Sequence, residues 1–153
     1  MLSLILDRSD SNAPNQASCF TKTVIELKKR TLIDSGNTAP KDTFTIDSPI
    51  PYDIQQLQKK LHADDIKMQE GAKGKEVKGP LNGKLSNFIS RLETKLQDRR
   101  YAFMFQPLQD AMDYNWLAKE LADKLLSTEN NSGIKIIDFS EVPRKSHTDS
   151  FYL

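Results

Sequence analysis

Ile134-Lys135-Ile136-Ile137-Asp138-Phe139-Ser140-Glu141-Val142-Pro143 follows the turn cluster Asn130-Asn131-Ser132-Gly133 as a short, mostly apolar, β-branched run. A run of this kind between turn signals reads as a buried strand, of the parallel type found inside α/β sheets. The acid at its carboxyl end stands where open α/β sheets bind ligands. Only ten residues follow Pro143, so the chain reads as part of something larger.

Composition sets the outer limits. The chain has 153 residues, 28% charged and 37% hydrophobic, with a net charge of +1, and its mean hydropathy is −0.58. This length supports one modest core. The near-zero charge provides no global field for nucleic acid or membrane, so any basic surface must be local. Cys19 is the only cysteine, which excludes an internal disulfide framework and fits a reducing compartment. With His62 and His147 as the only histidines, no metal-ligand spacing occurs. No apolar run reaches the roughly 20 residues that span a bilayer. A cytoplasmic location is expected, with no membrane contact.

Upstream of the strand, local signals are mixed. Residues 1–14 read as a short apolar start and a polar stretch. From about Asn15 the pattern is helical, with Phe20, Val24 and Leu27 on one face, Lys28-Lys29-Arg30 as a solvated basic end and Gly36 past the stop. Phe44-Thr45-Ile46 alternates like a short strand, and Ser48-Pro49-Ile50-Pro51 is held extended by its prolines. Asp53 can cap a helix that puts Ile54, Leu57 and Leu61 on one face and ends at Asp64-Asp65. The stretch 71–79, with three glycines and Lys73, Lys75 and Lys78, reads as a basic loop: either a solvated connector or an arm for a polyanion.

The best-specified helix follows Pro80. Asn82 is its expected N-cap, and Leu85, Phe88, Ile89, Leu92 and Leu96 form its apolar stripe. Along one edge run Lys84, Arg91, Lys95 and Arg99, followed by Arg100. Such a row is either the solvated flank of an amphipathic helix or a contact for successive phosphates or a neighbouring subunit. Tyr101-Ala102-Phe103-Met104-Phe105 reads as an aromatic strand. Asp113 is then an expected cap for a helix with Trp116, Leu117, Leu121 and Leu125, Trp116 being a packing residue. Residues 144–153 show no periodicity and read as a loose tail.

Two motifs bear on chemistry. Gly79-Pro80-Leu81-Asn82-Gly83-Lys84-Leu85 resembles a phosphate loop but fails its requirements. Three residues rather than four separate the glycines, Pro80 has no N–H, and Leu85 replaces the hydroxyl residue. No nucleotide-binding residues are therefore assigned. Asp138 and Glu141 are the weak catalytic candidates, as acids at a strand end that could order Mg²⁺ and water. They are not adjacent, and Asp138 equally suits turn hydrogen bonds.

Taken together, Ser48-Pro49-Ile50-Pro51-Tyr52, Gly79 to Ser86, Arg91-Leu92, Asp98-Arg99-Arg100, Asn115-Trp116-Leu117 and Ile137 to Pro143 resemble the HerA-type ATPases of the HerA/FtsK branch of P-loop proteins. The resemblance covers about residues 43–143. It implies a partial P-loop ATPase sheet of α/β class with a largely helical covering segment, incomplete as a domain. The expected organisation is a helical lead-in at 1–42, the resembling segment at 43–143 and a tail at 144–153.

Members of that family are hexameric double-stranded-DNA translocases that use ATP and Mg²⁺, often paired with a nuclease or a defence effector. Walker A in the family lies upstream of the resembling segment, and the Walker B acids lie downstream. The chain is accordingly expected to be a truncated, frame-shifted or split-gene segment that does not hydrolyse ATP alone. The second expectation is a small helical interaction module that binds a larger protein through the helices at 54–64 and 83–99. A metal-dependent nuclease built on Asp138 and Glu141 is a third, although the lysine such a site needs at a set spacing after the acid is missing.

Overall fold

The computed structural model describes residues 1–37, 43–106, 109–126 and 138. The chain forms two compact units, Met1–Tyr114 and Asn115–Leu153. The first is mostly helical, with one small two-stranded antiparallel sheet.

Helix α1 spans Ala13–Asp34. Its buried positions (Ala13, Gln16, Phe20, Val24 and Leu27 among them) recur at helical spacing. It stops at Gly36, whose φ of +72° suits glycine. Asn37 N–H donates to Leu32 O at 3.0 Å and Gly36 N–H to Ile33 O at 3.1 Å, which satisfies the last carbonyls as a Schellman motif does.

Helix α2 spans Ile54–Ile66. Asp53 caps it as expected, its Oδ1 accepting from Gln55 N–H at 2.8 Å and Gln56 N–H at 3.3 Å. Leu57 and Leu61 are fully buried. Helix α3 spans Ser86–Gln97. Leu85, Phe88, Ile89 and Leu92 all face inward, as the stripe requires.

The core lies among these three helices, and Phe20 meets Phe88 edge-on with ring centroids 5.7 Å apart. The apolar start belongs to it. Residues Leu2–Leu4 form one 3₁₀ turn, and Ile5 is only 2% exposed in the same cluster. The reading of 1–14 as a mere lead-in is corrected on this point.

Further local expectations are corrected. The stretch 101–105 is helical, not a strand: a 3₁₀ turn at Arg99–Tyr101 leads into α4, Ala102–Phe105. Asp98 caps the turn through Arg100 N–H at 3.0 Å, and Tyr101 and Phe105 meet at i, i+4 with ring centroids 6.3 Å apart. Aromatic β-propensity depends on a neighbouring strand, and none among the described residues pairs with this stretch.

The stretch 44–46 is not a strand but runs into a turn, which Ser48 N–H closes by donating to Thr45 O at 3.2 Å. Ser48 Oγ accepts from Thr45 N–H at 2.9 Å, and the Ile46 carbonyl accepts from the Lys28 ammonium. Lys28 is therefore no solvated helix end. It is 5% exposed and also donates to Ser48 O at 2.6 Å.

The glycine–lysine stretch after α2 is a hairpin rather than an unstructured loop. Strands β1 (Met68–Glu70) and β2 (Glu76–Lys78) pair antiparallel, with Gln69 opposite Val77. Both strands are exposed throughout. Gly74 at φ +70° lets the connection turn, and Gly71 N–H closes onto Lys75 O at 2.7 Å.

Asn82 does not cap α3; its amide reaches Lys67 O at 3.4 Å. Asp65 from α2 caps α3 instead, its Oδ1 accepting from Leu85 N–H at 2.7 Å and its Oδ2 from the Ser86 hydroxyl at 2.6 Å.

In the second unit, α5 spans Trp116–Leu121 and continues as a π turn over Ala122–Leu126. Asn115, not Asp113, occupies the N-cap position. Trp116 is half-buried, whereas Leu117 and Leu121 are exposed. The strand expected at 134–138 (apart from Asp138), Glu141, His147 and the tail at 144–153 lie outside the described residues, as does the Leu125 side chain. The only sheet among the described residues is the hairpin, so no parallel P-loop sheet occurs among them. No described helix is long and apolar enough to cross a membrane.

Candidate functional site

The five cations singled out from the sequence do not form one uniform row. Arg91 turns inward: Nε donates to Ile5 O at 2.9 Å and a terminal nitrogen to Gln16 Oε1 at 3.2 Å. Its guanidinium also lies 3.6 Å from Asp10 and 3.9 Å from Asp7. Gln16 is fully buried and in turn donates to Asp10 at 3.0 Å and to Lys84 O at 3.2 Å. This network joins the N-terminal segment, α1 and α3.

Lys95 lies over the Tyr101 ring at 4.9 Å. Arg100 pairs with Asp98 at 2.6 Å, and its guanidinium holds the Asp98 carboxyl down to about 2. Lys84 and Arg99 are exposed, and neither is paired with a carboxylate among the described residues.

Of the candidate acids, Asp138 is exposed, and Glu141 lies outside the described residues. No group of three or more metal-ligating side chains occurs among the described residues. Cys19 is buried beside Asp64, Sγ to Oδ2 3.6 Å. Burial first, and then the Asp64 charge, push its thiol up to about 11, the opposite of what a nucleophile needs.

A concave feature lies elsewhere in the first unit. A groove of about 840 Å³ opens between the extended segment before α2 and the region of α4. Its walls include Met1, Ile54, Met104, Phe105 and Met112. The extended segment that sequence reading placed at 48–51 forms one wall through Ile50 and Pro51. Tyr52 stands beside them, its hydroxyl directed at Met1 Sδ at 3.4 Å, with burial pushing that hydroxyl's pKa up. Lys28 supports the same segment from beneath, its ammonium 5.8 Å from the Tyr52 ring centroid.

The groove continues at both ends. Past Ile54, Gln55, Phe105 and Gln106 it runs into a second hollow of about 410 Å³ that reaches Lys59, His62 and Leu96. Past Asp53 and Met112 it runs into a third of about 230 Å³ against Leu27, Arg30 and Asp34 of α1. The three form one crease along α2. From Asp53 to His62 the crease follows about 14 Å of helix at 1.5 Å per residue.

Sequence reading missed this site because its walls come from four separated segments. The available signal was methionine placement: of the four methionines, Met1, Met104 and Met112 all line the groove.

Chemically, the crease offers apolar contact and hydrogen-bonding amides. Methionine and aromatic walls adapt to apolar side chains, and the amides of Gln55, Gln106 and Gln109 on its lining can donate or accept. The one carboxylate in the main groove, Asp53, is engaged by the N-terminal N–H groups of α2. No family model, no curated protein and no solved structure matches this chain.

Proposed function

We propose that the chain is an interaction module that receives an amphipathic helix of another protein in the crease along α2. The observation that supports this most directly is the methionine-walled groove formed by Met1, Met104 and Met112 with Tyr52 and Phe105. Such walls suit a row of apolar side chains at helical spacing, and the length of the crease matches two to three turns.

Methyl NMR tests the reading, because the four methionines provide three probes in the groove and one control, Met68, on the hairpin. The probe is a synthetic amphipathic helix with leucines at i, i+4, i+7 and i+11 on an alanine–glutamine body. Its addition is expected to shift the Met1, Met104 and Met112 methyl signals and leave Met68 in place. Unchanged spectra, or equal movement of all four, would overturn the reading.

The second reading is an internal segment of a HerA-type double-stranded-DNA translocase, in a hexamer whose ATP and Mg²⁺ are bound by other segments. Exposed Lys84 and Arg99, with no carboxylate partner among the described residues, favour it. It ranks second because Arg91 and Arg100 are engaged with carboxylates and Lys95 with a ring. Two phosphate contacts give a salt slope of roughly +2 in log Kd against log salt. A filter-binding titration with a 30-base-pair duplex tests it, and no retention at low salt would reject it.

A further inference from the structure

The crease is electrostatically lopsided, and the consequence drawn here rests on the docking reading above. At the α1 end, Arg30 is paired with Asp34 at 3.7 Å, so that end is balanced. In the middle, Asp53 faces the N–H groups of its own helix. At the far end, Lys59 is exposed and has no carboxylate partner among the described residues. Beside it, His62 Nε2 lies 3.0 Å from Glu93 Oε1, and the same Glu93 oxygen accepts from Gln58 at 2.8 Å. Lys60, the other nearby cation, turns away to Glu26 at 2.6 Å. Lys59 is thus the cation of the crease that lacks a counter-charge.

We infer that the docked helix carries an acidic side chain at the Lys59 end, one to two turns beyond the apolar residue that sits over Ile54. Along α2, Lys59 is five residues past Ile54, about 7.5 Å of rise, and the long lysine stem can bend along the apolar wall while its ammonium stays at the rim. An acid there gains an ion pair and gives the docked helix a direction. A basic residue there meets an unpaired like charge, so charge selects as well as attracts.

The test uses three blocked synthetic helices with one leucine row and one body, differing only in a flanking Glu, Gln or Lys. Affinities are read by fluorescence anisotropy and occupancy by the methionine methyl shifts. The Glu helix is expected to bind about threefold tighter than the Gln helix, as one exposed ion pair allows, and the Lys helix more weakly than either. Lys59→Glu, at an exposed position, is expected to reverse that order while the circular dichroism spectrum is unchanged. Equal affinities with the Met1, Met104 and Met112 shifts intact, or an order that Lys59→Glu does not reverse, would overturn the charge inference and leave the groove standing. No methyl shifts with any of the three would remove the docking reading and the inference with it.

Discussion

The carboxylate of Asp65, in the last turn of α2, accepts the backbone N–H of Leu85 at 2.7 Å and so caps the start of α3 from another helix. Its second oxygen takes the Ser86 hydroxyl, and its backbone carbonyl takes Gly83 N–H at 2.9 Å. Side-chain cap and main chain together fix the turn between hairpin and helix.

Replacement of this carboxylate has a defined cost. Asp65→Ala leaves the N–H of fully buried Leu85 without an acceptor, which is expected to destabilise the fold by about 3 kcal/mol. Asp65→Asn keeps an acceptor for Leu85 and loses the charge at the helix N-terminus, so a loss of about 1 kcal/mol is expected. Urea unfolding followed by far-UV circular dichroism measures both. Equal stability of the alanine variant would show that α3 does not depend on this cap.

The Arg91 network makes a separate prediction about the N-terminal segment. Arg91 holds Ile5 O and Gln16, and Ile5 is in the core. Arg91→Leu keeps the apolar stem but strands the Oε1 of buried Gln16 and the Ile5 carbonyl, with an expected loss of about 2–3 kcal/mol. Because exposed Arg8 lies just beyond Ile5, trypsin is expected to cut after Arg8 in the variant under conditions where the wild type resists. Identical digestion patterns would mean that Arg91 does not hold the segment.

These contacts explain which parts of the fold could be read from sequence. The stripe from Leu85 to Leu92 and the Asp53 cap rest on spacings within one helix, so their local pattern suffices. The partners of Lys28, Asp65 and Arg91 lie 18 to 86 residues away, and no local pattern encodes them. Residues 101–105 and 44–46 carry strand-type residues, but local backbone N–H groups donating to Asp98 and Ser48, with Lys28 at the Ile46 carbonyl, decide otherwise. The crease along α2 is illegible for the same reason: Met1, Tyr52, Met104 and Met112 line it together only after the helices have packed.

Acid sensitivity follows from the carboxylates. Asp98 is lowered from 3.8 to about 2, chiefly by the Arg100 side chain. Asp7 is lowered by the Ser9 hydroxyl and N–H, Asp10 by Asn12 N–H and then Gln16, and Glu93 by His62 and then Gln58. A carboxyl held lower in the folded chain than in the unfolded one stabilises above its unfolded value, and that stability is lost as pH falls through the folded value. Tm is therefore expected to be flat from neutral pH to about 5 and to fall progressively toward pH 2. Asp98→Asn should flatten the lower part of that fall. A Tm that stays level down to pH 2 would contradict the assignment.

Cys19 reports on the packing of α1 against α2. It is 6% exposed, and its thiol is raised from 9.0 to about 11 by burial and then by Asp64. The thiolate is the reactive species, so at pH 8 on the order of one thiol in a thousand is ionised in the folded chain against one in ten in the unfolded. Access adds to this, because a reagent must separate the thiol from its surroundings at the Asp64 carboxylate, 3.6 Å away. Iodoacetamide at pH 8, followed by mass spectrometry, is expected to label the native chain at least a hundredfold more slowly than the urea-unfolded chain. Asp64→Asn removes the second cause of the raised pKa but leaves the first, so it should speed native labelling only modestly. Labelling of the wild type at the unfolded rate would place Cys19 at the surface and undo the packing of α1 on α2 described above.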